Sequence, residues 1–292
     1  MRHAVLGAGG VGAFVGAALA RTGRDVLLLM REESLARYGG VVHVESAVLG
    51  DFEAGVPAAA TLERPVDVLW VTTKATQLRD ALERIPDGAA AHAVVVPLLN
   101  GLDHVDVLRR RFGATAVVPA SIAIESERVG PGHVRQLSPF AIAVVSPGRH
   151  AEGLRSELAN AGLAASIGES EAGVLWGKLA LLAPLALPTT LRGSELGVVM
   201  ADPAWRDRLE GCVREVVTVA GADGVQLDAE TIIAMIATVP PDFRSSMQKD
   251  REAGRPTEIE AIGGSVLRAA ARHGLAAPTT QALVDGIRAG EV

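Results

Sequence analysis

This chain of 292 residues contains little cysteine, few aromatic residues and no excess of basic charge. Its one cysteine, Cys212, excludes a disulfide framework and any cysteine-based metal cluster. The seven histidines are scattered without the spacing of metal ligands, so we expect no metal site. A formal net charge of −6 without a basic stripe argues against a nucleic acid partner. Aromatic residues make up 3% of the chain, which predicts an aliphatic, alanine-rich core.

Long hydrophobic runs are also scarce. A membrane-spanning helix needs roughly 18 or more apolar residues, and the best late candidate, 179–191, contains Pro184 and Pro188. The early run 4–20 follows Arg2 as a secretion signal would, but its five glycines disfavour the helix that a signal needs. We therefore expect a cytoplasmic protein without a membrane partner. The chain also carries neither a complete Walker A loop nor a GxSxG motif.

The segment 5–14, VLGAGGVGAF, places a glycine motif between the apolar run 4–6 and the small-residue run 13–20. A second apolar run, 25–30, follows. This order predicts a strand, a glycine turn, a helix and a strand, as in a dinucleotide-binding fold. The first glycine permits the tight turn, the second lets the backbone approach a pyrophosphate, and the third lets the helix pack on the strand. The predicted cofactor-binding residues of this turn are Gly7, Ala8, Gly9, Gly10, Val11 and Gly12; the alternative is a purely structural turn.

The end of the second predicted strand decides which dinucleotide binds. A carboxylate there favours NAD, whereas a cation neutralises the additional phosphate of NADP. The sequence reads Arg31-Glu32-Glu33, so both signs are present and the spacing alone leaves the choice open. Arg31 comes first and its guanidinium suits a phosphate, which favours NADP(H). The alternative is a solvated strand end.

The pattern of apolar residues changes near residue 168. Before it, short apolar runs at 68–72, 93–98, 115–120 and 140–145 alternate with helical segments. These runs are the predicted strands. Beyond it, the helical period dominates at 171–187, 205–222, 229–236 and 259–271. We predict an α/β protein: an N-terminal Rossmann-type doubly wound sheet in residues 1–168, followed by an all-α C-terminal substrate domain in residues 169–292.

Polar residues directly follow two of the predicted strands. Lys74 follows the run 68–72, and Asn100 follows the run 93–98. Ligands of open parallel sheets bind at the carboxyl ends of the strands, so these side chains would lie beside a nicotinamide ribose. The alternatives are a lysine at a helix start and an asparagine in a turn.

Several motifs together resemble one known family. They are Gly7-x-Gly9-x-x-Gly12, Arg31, Thr73-Lys74, Asn100-Gly101, Trp176-Gly177-Lys178-Leu179, Ser245-Ser246-Met247 and Thr257-Glu258-Ile259. In order and spacing they resemble the ketopantoate reductases (2-dehydropantoate 2-reductases) of pantothenate biosynthesis.

The resemblance implies NADPH-dependent reduction of a small 2-oxo acid by a monomer or homodimer. It makes Lys178 the general acid and Glu258 a second catalytic residue that also contacts the cofactor. It assigns the substrate carboxylate to Ser246, the 2′-phosphate to Arg31, and the cofactor and active-site lining to Lys74 and Asn100. By the same resemblance, Lys178 and Asn100 contact the substrate.

Elementary chemistry supports these residue types. Hydride delivery to a ketone builds negative charge on oxygen, which requires a proton donor aimed at that oxygen. Lys178 lies in an apolar helical segment, where burial would lower its pKa, while a carboxylate such as Glu258 would oppose that shift. The alternatives are a lysine that extends to solvent and, for Glu258, an acid in the first turn of a helix capped by Thr257 and Glu260. The serines at 245–246 could equally form a loop or a cap.

One departure from the family bears on the substrate. Members carry asparagines about four and eight residues after the catalytic lysine, and another in the following loop. Leu or Ala occupies the helix positions here, and Gly193 the loop position. A pocket without these amides loses partners for a polar substrate. Ketopantoate therefore competes with a less polar 2-oxo acid or a related carbonyl compound, and a catalytically inactive NADP-binding protein is a further alternative.

Overall fold

The computed structural model describes residues 1–290 and divides the chain into two compact units. The first comprises Met1–Leu99 and His104–Val174. The second comprises Asn100–Asp103 and the chain from Leu175 onward. The segment Asn100–Asp103 thus groups with the second unit, although both of its sequence neighbours belong to the first.

The first unit is built on a parallel sheet. Its strands are β1 (Arg2–Leu6), β2 (Asp25–Leu29), β5 (Ala58–Ala59), β6 (Val68–Val71) and β7 (Val94–Pro97), in the order β5-β2-β1-β6-β7. Leu6 pairs with Leu29 on one side and with Val71 on the other, so the carboxyl ends of β1, β2 and β6 meet at one edge. The predicted Rossmann-type α/β class is confirmed.

Helices and a second sheet complete this framework. The helices are α1 (Gly10–Arg21), α2 (Glu32–Leu35), a 3-10 helix (Ala75–Gln77), α3 (Leu78–Leu82), α4 (His104–Phe112) and α5 (Ala151–Asn160). Strands β8 (Ala120–Ala123), β11 (Ile142–Val145) and β12 (Ala164–Ile167) form the second sheet, in the order β12-β11-β8. The strand predicted at 115–120 is wrong: Val117 makes only an isolated bridge to Val95, and Pro119, which has no N–H to donate, precedes the actual strand.

A small mixed sheet packs against helix α1, and the sequence pattern did not predict it. Its strands are β3 (Val41–Ser46), β4 (Phe52–Gly55), β9 (Ser126–Gly130) and β10 (His133–Gln136), in the order β4-β3-β10-β9. Val42, Val44 and Val134 are fully or almost fully buried and contribute to the core around Phe14. As predicted, that core is aliphatic and rich in alanine.

The second unit is helical, as predicted. Its helices are α6 (Glu171–Arg192, which begins in the first unit), α7 (Leu196–Ala201), α8 (Pro203–Ala222), α9 (Ala229–Ala237), α10 (Ser246–Glu252), a π-helix (Glu260–Gly264), α11 (Ser265–Arg272) and α12 (Pro278–Ala289). Helices α7, α10 and α12 went unpredicted. Pro278 occupies the first turn of α12, where its missing N–H costs no hydrogen bond.

Helix α6 continues through both prolines that were expected to interrupt the apolar run. A proline inside a helix costs about 3 kcal/mol, because a hydrogen bond is lost and the ring crowds the preceding turn. Burial of the surrounding side chains, including Leu179, Ala183 and Leu187, outweighs that cost here. By length and composition α6 could also cross a membrane, but 67% of its apolar window is buried inside the protein, as in the core helix of a globular protein.

Candidate active site

The glycine turn joins strand β1 to helix α1, and each glycine of the motif has a distinct steric reason. Gly7 has a φ of +104°, and a Cβ there would lie 2.9 Å from the backbone N of Thr73. At Gly12 a Cβ would lie 2.0 Å from the carbonyl oxygen of Gly7, so only glycine allows the helix to pack on the turn. A Cβ at Gly9 would meet no atom of the described chain within 4 Å. Gly9 therefore leaves room for a ligand beside the backbone.

Two threonines directly after β6 lie beside this turn; the sequence analysis included Thr73 in a motif but gave neither threonine a role. Thr72 donates from Oγ1 to the carbonyl oxygen of Gly7 at 2.8 Å. Thr73 lies beside Gly7, and its Oγ1 is buried with no hydrogen-bond partner among residues 1–290. An unpaired buried hydroxyl is costly, so it indicates a position where a ligand would complete the hydrogen bonding. Their place directly after a parallel strand was the signal available in the sequence.

The start of helix α1 completes an anion-binding geometry. Gly9 is the N-cap and provides no side-chain cap within the described structure, and the first turn contains no acidic residue there. The first N–H groups of a helix lack intrahelical partners and carry the positive end of the helix dipole. Such an end binds phosphate. The turn Gly7–Gly12 therefore fits a pyrophosphate.

Arg31 follows strand β2, where the sequence placed it, and is the exposed N-cap of helix α2. Of the two acids that follow it, Glu33 pairs with Arg37 at 3.3 Å. Lys74 follows β6, is partly buried, and caps the 3-10 helix Ala75–Gln77 through its extended backbone. Arg31, Lys74 and the glycine turn thus lie after neighbouring strands of one parallel sheet in the first unit.

The second unit contains the other predicted residues. Lys178 lies on α6 between the buried side chains Val174, Leu179 and Ala180. Burial lowers the pKa of Lys178 from 10.5 to about 8, and the negative charge of Glu258 opposes part of this shift. The structure therefore brings Lys178 within electrostatic range of Glu258, as the sequence analysis expected.

Asn100 and Glu258 are in direct contact. Asn100 donates from Nδ2 to Oε2 of Glu258 at 3.0 Å, and Glu258 is only 6% exposed. Gly101 has a φ of +83°, and a Cβ there would lie 1.9 Å from the carbonyl oxygen of Ala261 in the π-helix. Glycine at 101 thus permits the loop to approach the π-helix closely enough for Asn100 to reach Glu258. The sequence patterns predict a ligand near each of these residues but do not predict their hydrogen bond.

The π-helix Glu260–Gly264 begins two residues after Glu258. Single π-helical turns occur frequently at functional sites. The carboxylate of Glu260, which was considered as part of a capping box with Thr257, accepts hydrogen bonds from Arg288 at 2.6 Å and from Arg268 at 3.1 Å. These ion pairs link the first residue of the π-helix to helices α11 and α12.

Ser245 and Ser246 have different roles at the start of α10. Ser245 is the buried N-cap, and its Oγ accepts a hydrogen bond from the backbone N–H of Gln248 at 3.1 Å. The hydroxyls of Ser245 and Thr189 lie 3.4 Å apart, which ties α10 to α6. Ser246 is exposed in the first turn, where its hydroxyl can meet a ligand.

The face of α6 next to Lys178 is apolar. Residues three, four, seven and eight positions further along a helix share a face with the first residue. These positions are Leu181, Leu182, Leu185 and Ala186. Leu181 and Leu182 are partly exposed, so the helical surface beside the amine presents hydrocarbon.

Comparison with known proteins covers the whole chain. Residues 3–147 match the family described as ketopantoate reductase PanE/ApbA, and residues 172–291 match its C-terminal domain family. An uncharacterized oxidoreductase of Bacillus subtilis, YkpB, is 29% identical over 99% of this chain and 98% of its own length. A 2-dehydropantoate 2-reductase of Mycobacterium tuberculosis is 33% identical over 75% of each chain.

Solved structures show the same fold. A PanE/ApbA family ketopantoate reductase from Ralstonia eutropha JMP134 has a TM-score of 0.89, with 27% identity over 100% of this chain and 98% of its own. D-mandelate dehydrogenase with NADH and anilino(oxo)acetate also has a TM-score of 0.89, with 22% identity and the same coverage. Members of this family are pyridine-nucleotide-dependent oxidoreductases that act on CH–OH groups. Because family models match both its N-terminal and its C-terminal part, this chain belongs to the ketopantoate reductase family.

Proposed function

We propose that this chain is an NADPH-dependent reductase that converts a 2-oxo acid into a 2-hydroxy acid. The amine of Lys178, with a pKa of about 8 and Glu258 nearby, carries the proposal. At neutral pH such an amine is mostly protonated, yet it releases its proton far more readily than an exposed lysine. A general acid works best when its pKa lies near the operating pH.

The residues of the first unit fit a dinucleotide. Gly7, Ala8, Gly9, Gly10, Val11 and Gly12 would hold the pyrophosphate on the first N–H groups of α1. The buried hydroxyl of Thr73 would find its missing partner there. Arg31 would meet the 2′-phosphate that distinguishes NADPH from NADH, and Lys74 would line the same site. When bound, NADPH supplies the hydride.

Lys178 and its neighbours would act on the substrate. The carbonyl oxygen gains negative charge as its carbon is reduced, and Lys178 Nζ would donate a proton to that oxygen to give the hydroxyl group. Glu258 favours the protonated amine. Asn100 keeps the Glu258 carboxylate in place through its hydrogen bond and would also contact the ligand. The exposed hydroxyl of Ser246 would donate to the substrate carboxylate.

Ketopantoate is our first candidate substrate, with pantoate as product in pantothenate biosynthesis. Membership of the family supports it, as does the similarity to the mycobacterial 2-dehydropantoate 2-reductase.

A less polar 2-oxo acid, or a related carbonyl compound, is the second candidate. Leu182 favours it, because this partly exposed apolar side chain cannot hydrogen-bond to a substrate hydroxyl.

A spectrophotometric screen tests the proposal. Purified protein is mixed with NADPH or NADH and with ketopantoate or a graded series of bulkier and less polar 2-oxo acids, and loss of reduced nicotinamide is followed. We expect turnover with NADPH and at least one 2-oxo acid. Tight NADPH binding without turnover on any of these acids would instead indicate an NADP-binding protein without catalytic activity.

We further propose that the enzyme works in the cytoplasm on a small molecule, as a monomer or a homodimer. The buried apolar window of α6 supports a globular protein over one held in a membrane. Sedimentation of the purified protein with and without NADPH would determine the oligomeric state.

A further inference from the structure

Strand β9 contacts the glycine turn at its first residue, and one side chain further along it contacts helix α2. At its start, Ser126 donates from Oγ to the carbonyl oxygen of Gly10 at 3.0 Å. A Cβ at Gly10 would lie 2.0 Å from the carbonyl oxygen of Ser126, so strand and turn are in close contact. Ser126 therefore marks the end of β9 that lies at the predicted pyrophosphate position.

Arg128 lies two residues further along the same strand. Side chains two apart on a strand share a face, so Arg128 projects on the same side as Ser126. Their partners across the sheet are Val134 and Gln136, which are 0% and 2% exposed and belong to the face of the small sheet that packs on α1. Arg128 itself is exposed at the edge of the sheet. Arg128 is thus an exposed cation at the edge of the sheet face whose other side chains pack on α1.

The guanidinium of Arg128 reaches the residues that follow β2. Its Nη1 lies 3.5 Å from Oγ of Ser34, and the backbone N–H of Ser34 donates to the carbonyl oxygen of Arg31 at 2.9 Å. Among residues 1–290, neither Arg31 nor Arg128 forms an ion pair with a carboxylate. Two unneutralised arginines and a hydroxyl therefore lie around the carboxyl end of β2.

We propose that Arg128 is a second cofactor-specificity residue, which binds the 2′-phosphate of NADPH together with Arg31 and the hydroxyl of Ser34. Two guanidinium groups can hold a phosphate monoester from two sides, whereas the unmodified ribose of NADH gives Arg128 no anion to bind. This inference rests on the proposed use of NADPH.

Binding of adenosine nucleotides tests the inference without any turnover. The dissociation constants of 2′,5′-ADP and 5′-ADP are measured by calorimetry on the full chain and on Arg31→Ala, Arg128→Ala and Arg128→Gln. We expect each Arg128 variant to weaken 2′,5′-ADP by about tenfold or more, as for a charge-assisted hydrogen bond, and 5′-ADP by less than about twofold. Arg135→Ala is the matched control, since it removes the same charge from the opposite face of the adjoining strand β10.

The outcomes separate the two proposals. If Arg31→Ala abolishes the preference for 2′,5′-ADP while both Arg128 variants keep it, NADPH use stands and the role of Arg128 is overturned. Equally weakened binding of both nucleotides in the Arg128 variants also overturns it, because Arg128 would then only hold Ser34 in place and would not bind the 2′-phosphate. If the unmodified chain binds 5′-ADP as tightly as 2′,5′-ADP, NADPH preference fails, and the role of Arg128 fails with it.

Discussion

Asn100 donates a hydrogen bond to Glu258 across 158 positions of sequence, at an N–O distance of 3.0 Å. Asn100 lies in the loop after strand β7, and Glu258 lies two residues before the π-helix begins. Both residues belong to the helical unit. It fixes one oxygen of a carboxylate whose charge acts on Lys178. The electrostatics of the proposed proton donor therefore depend on a residue outside its own helix.

Replacing Glu258 should move the pH dependence of reduction. The carboxylate raises the pKa of Lys178, so Glu258→Gln should lower that pKa below its value of about 8. Reduction needs the protonated amine, which is present below the pKa and lost as the pH rises through it. The alkaline decline of the single-turnover rate should therefore begin near pH 8 in the unmodified protein and at a lower pH in the variant.

Glu260→Gln provides the matched control for that profile. Glu260 is exposed and pairs with Arg268 and Arg288, so its removal should leave the alkaline decline in place. If the rate declined at the same pH in Glu258→Gln and in the unmodified chain, Glu258 would not control the pKa of the proton donor.

Removal of the amine should slow hydride transfer itself. Lys178→Ala should reduce the single-turnover rate by about a hundredfold or more, since a positioned general acid contributes factors of about 10²–10⁴. Arg214→Ala, which removes an exposed cation from α8, should react at the unmodified rate. A rate within about fivefold of the unmodified protein in Lys178→Ala would exclude the lysine as the proton donor.

Replacing Gly9 in the glycine turn should weaken NADPH binding without changing the stability of the protein. Gly9→Ala places a methyl group in open space at an ordinary backbone conformation, so the free energy of unfolding should change by less than about 0.5 kcal/mol. The same methyl group would occupy the approach of a pyrophosphate and weaken NADPH binding by about tenfold or more. Calorimetry of binding and denaturant unfolding give the two quantities.

Gly12→Ala, by contrast, should lower the free energy of unfolding. Its methyl group would overlap the carbonyl oxygen of Gly7, which should cost at least about 2 kcal/mol of unfolding free energy. Unimpaired NADPH binding by Gly9→Ala would show that no phosphate lies at this turn.

The apolar face of α6 should control the choice of substrate. Leu182→Asn introduces an amide four residues after Lys178, where it can pair with a substrate hydroxyl. The ratio of kcat/KM for ketopantoate to that for 3,3-dimethyl-2-oxobutanoate, which lacks the hydroxyl, should rise by about tenfold or more. Val198→Asn, on an exposed position of α7, should leave the ratio unchanged. An unchanged ratio in Leu182→Asn would remove this position from the substrate site.

Local patterns predicted the features that depend on neighbouring residues. The glycine motif, the strands on either side of it, and the apolar surroundings of Lys178 could all be recognised from short segments. The small sheet on α1 could not, because its central pair joins Val41–Ser46 to His133–Gln136 across a long stretch of chain. The helix predicted at 171–187 already included Pro184, but its continuation through Pro188 to Arg192 escaped prediction, since tertiary burial overrides helix propensity. No local signal assigns Asn100 to the helical unit.

The assignment of Asn100–Asp103 to the second unit has a practical consequence for protein engineering. The polypeptide changes unit at 99/100, at 103/104 and again at 174/175, so one cleavage point cannot yield two self-sufficient fragments. A fragment that starts at Leu175 would lack the amide that holds Glu258 and the Asp103 carboxylate that pairs with Arg268. Exchange of the helical unit between relatives therefore requires the tetrapeptide to be transplanted along with the helices.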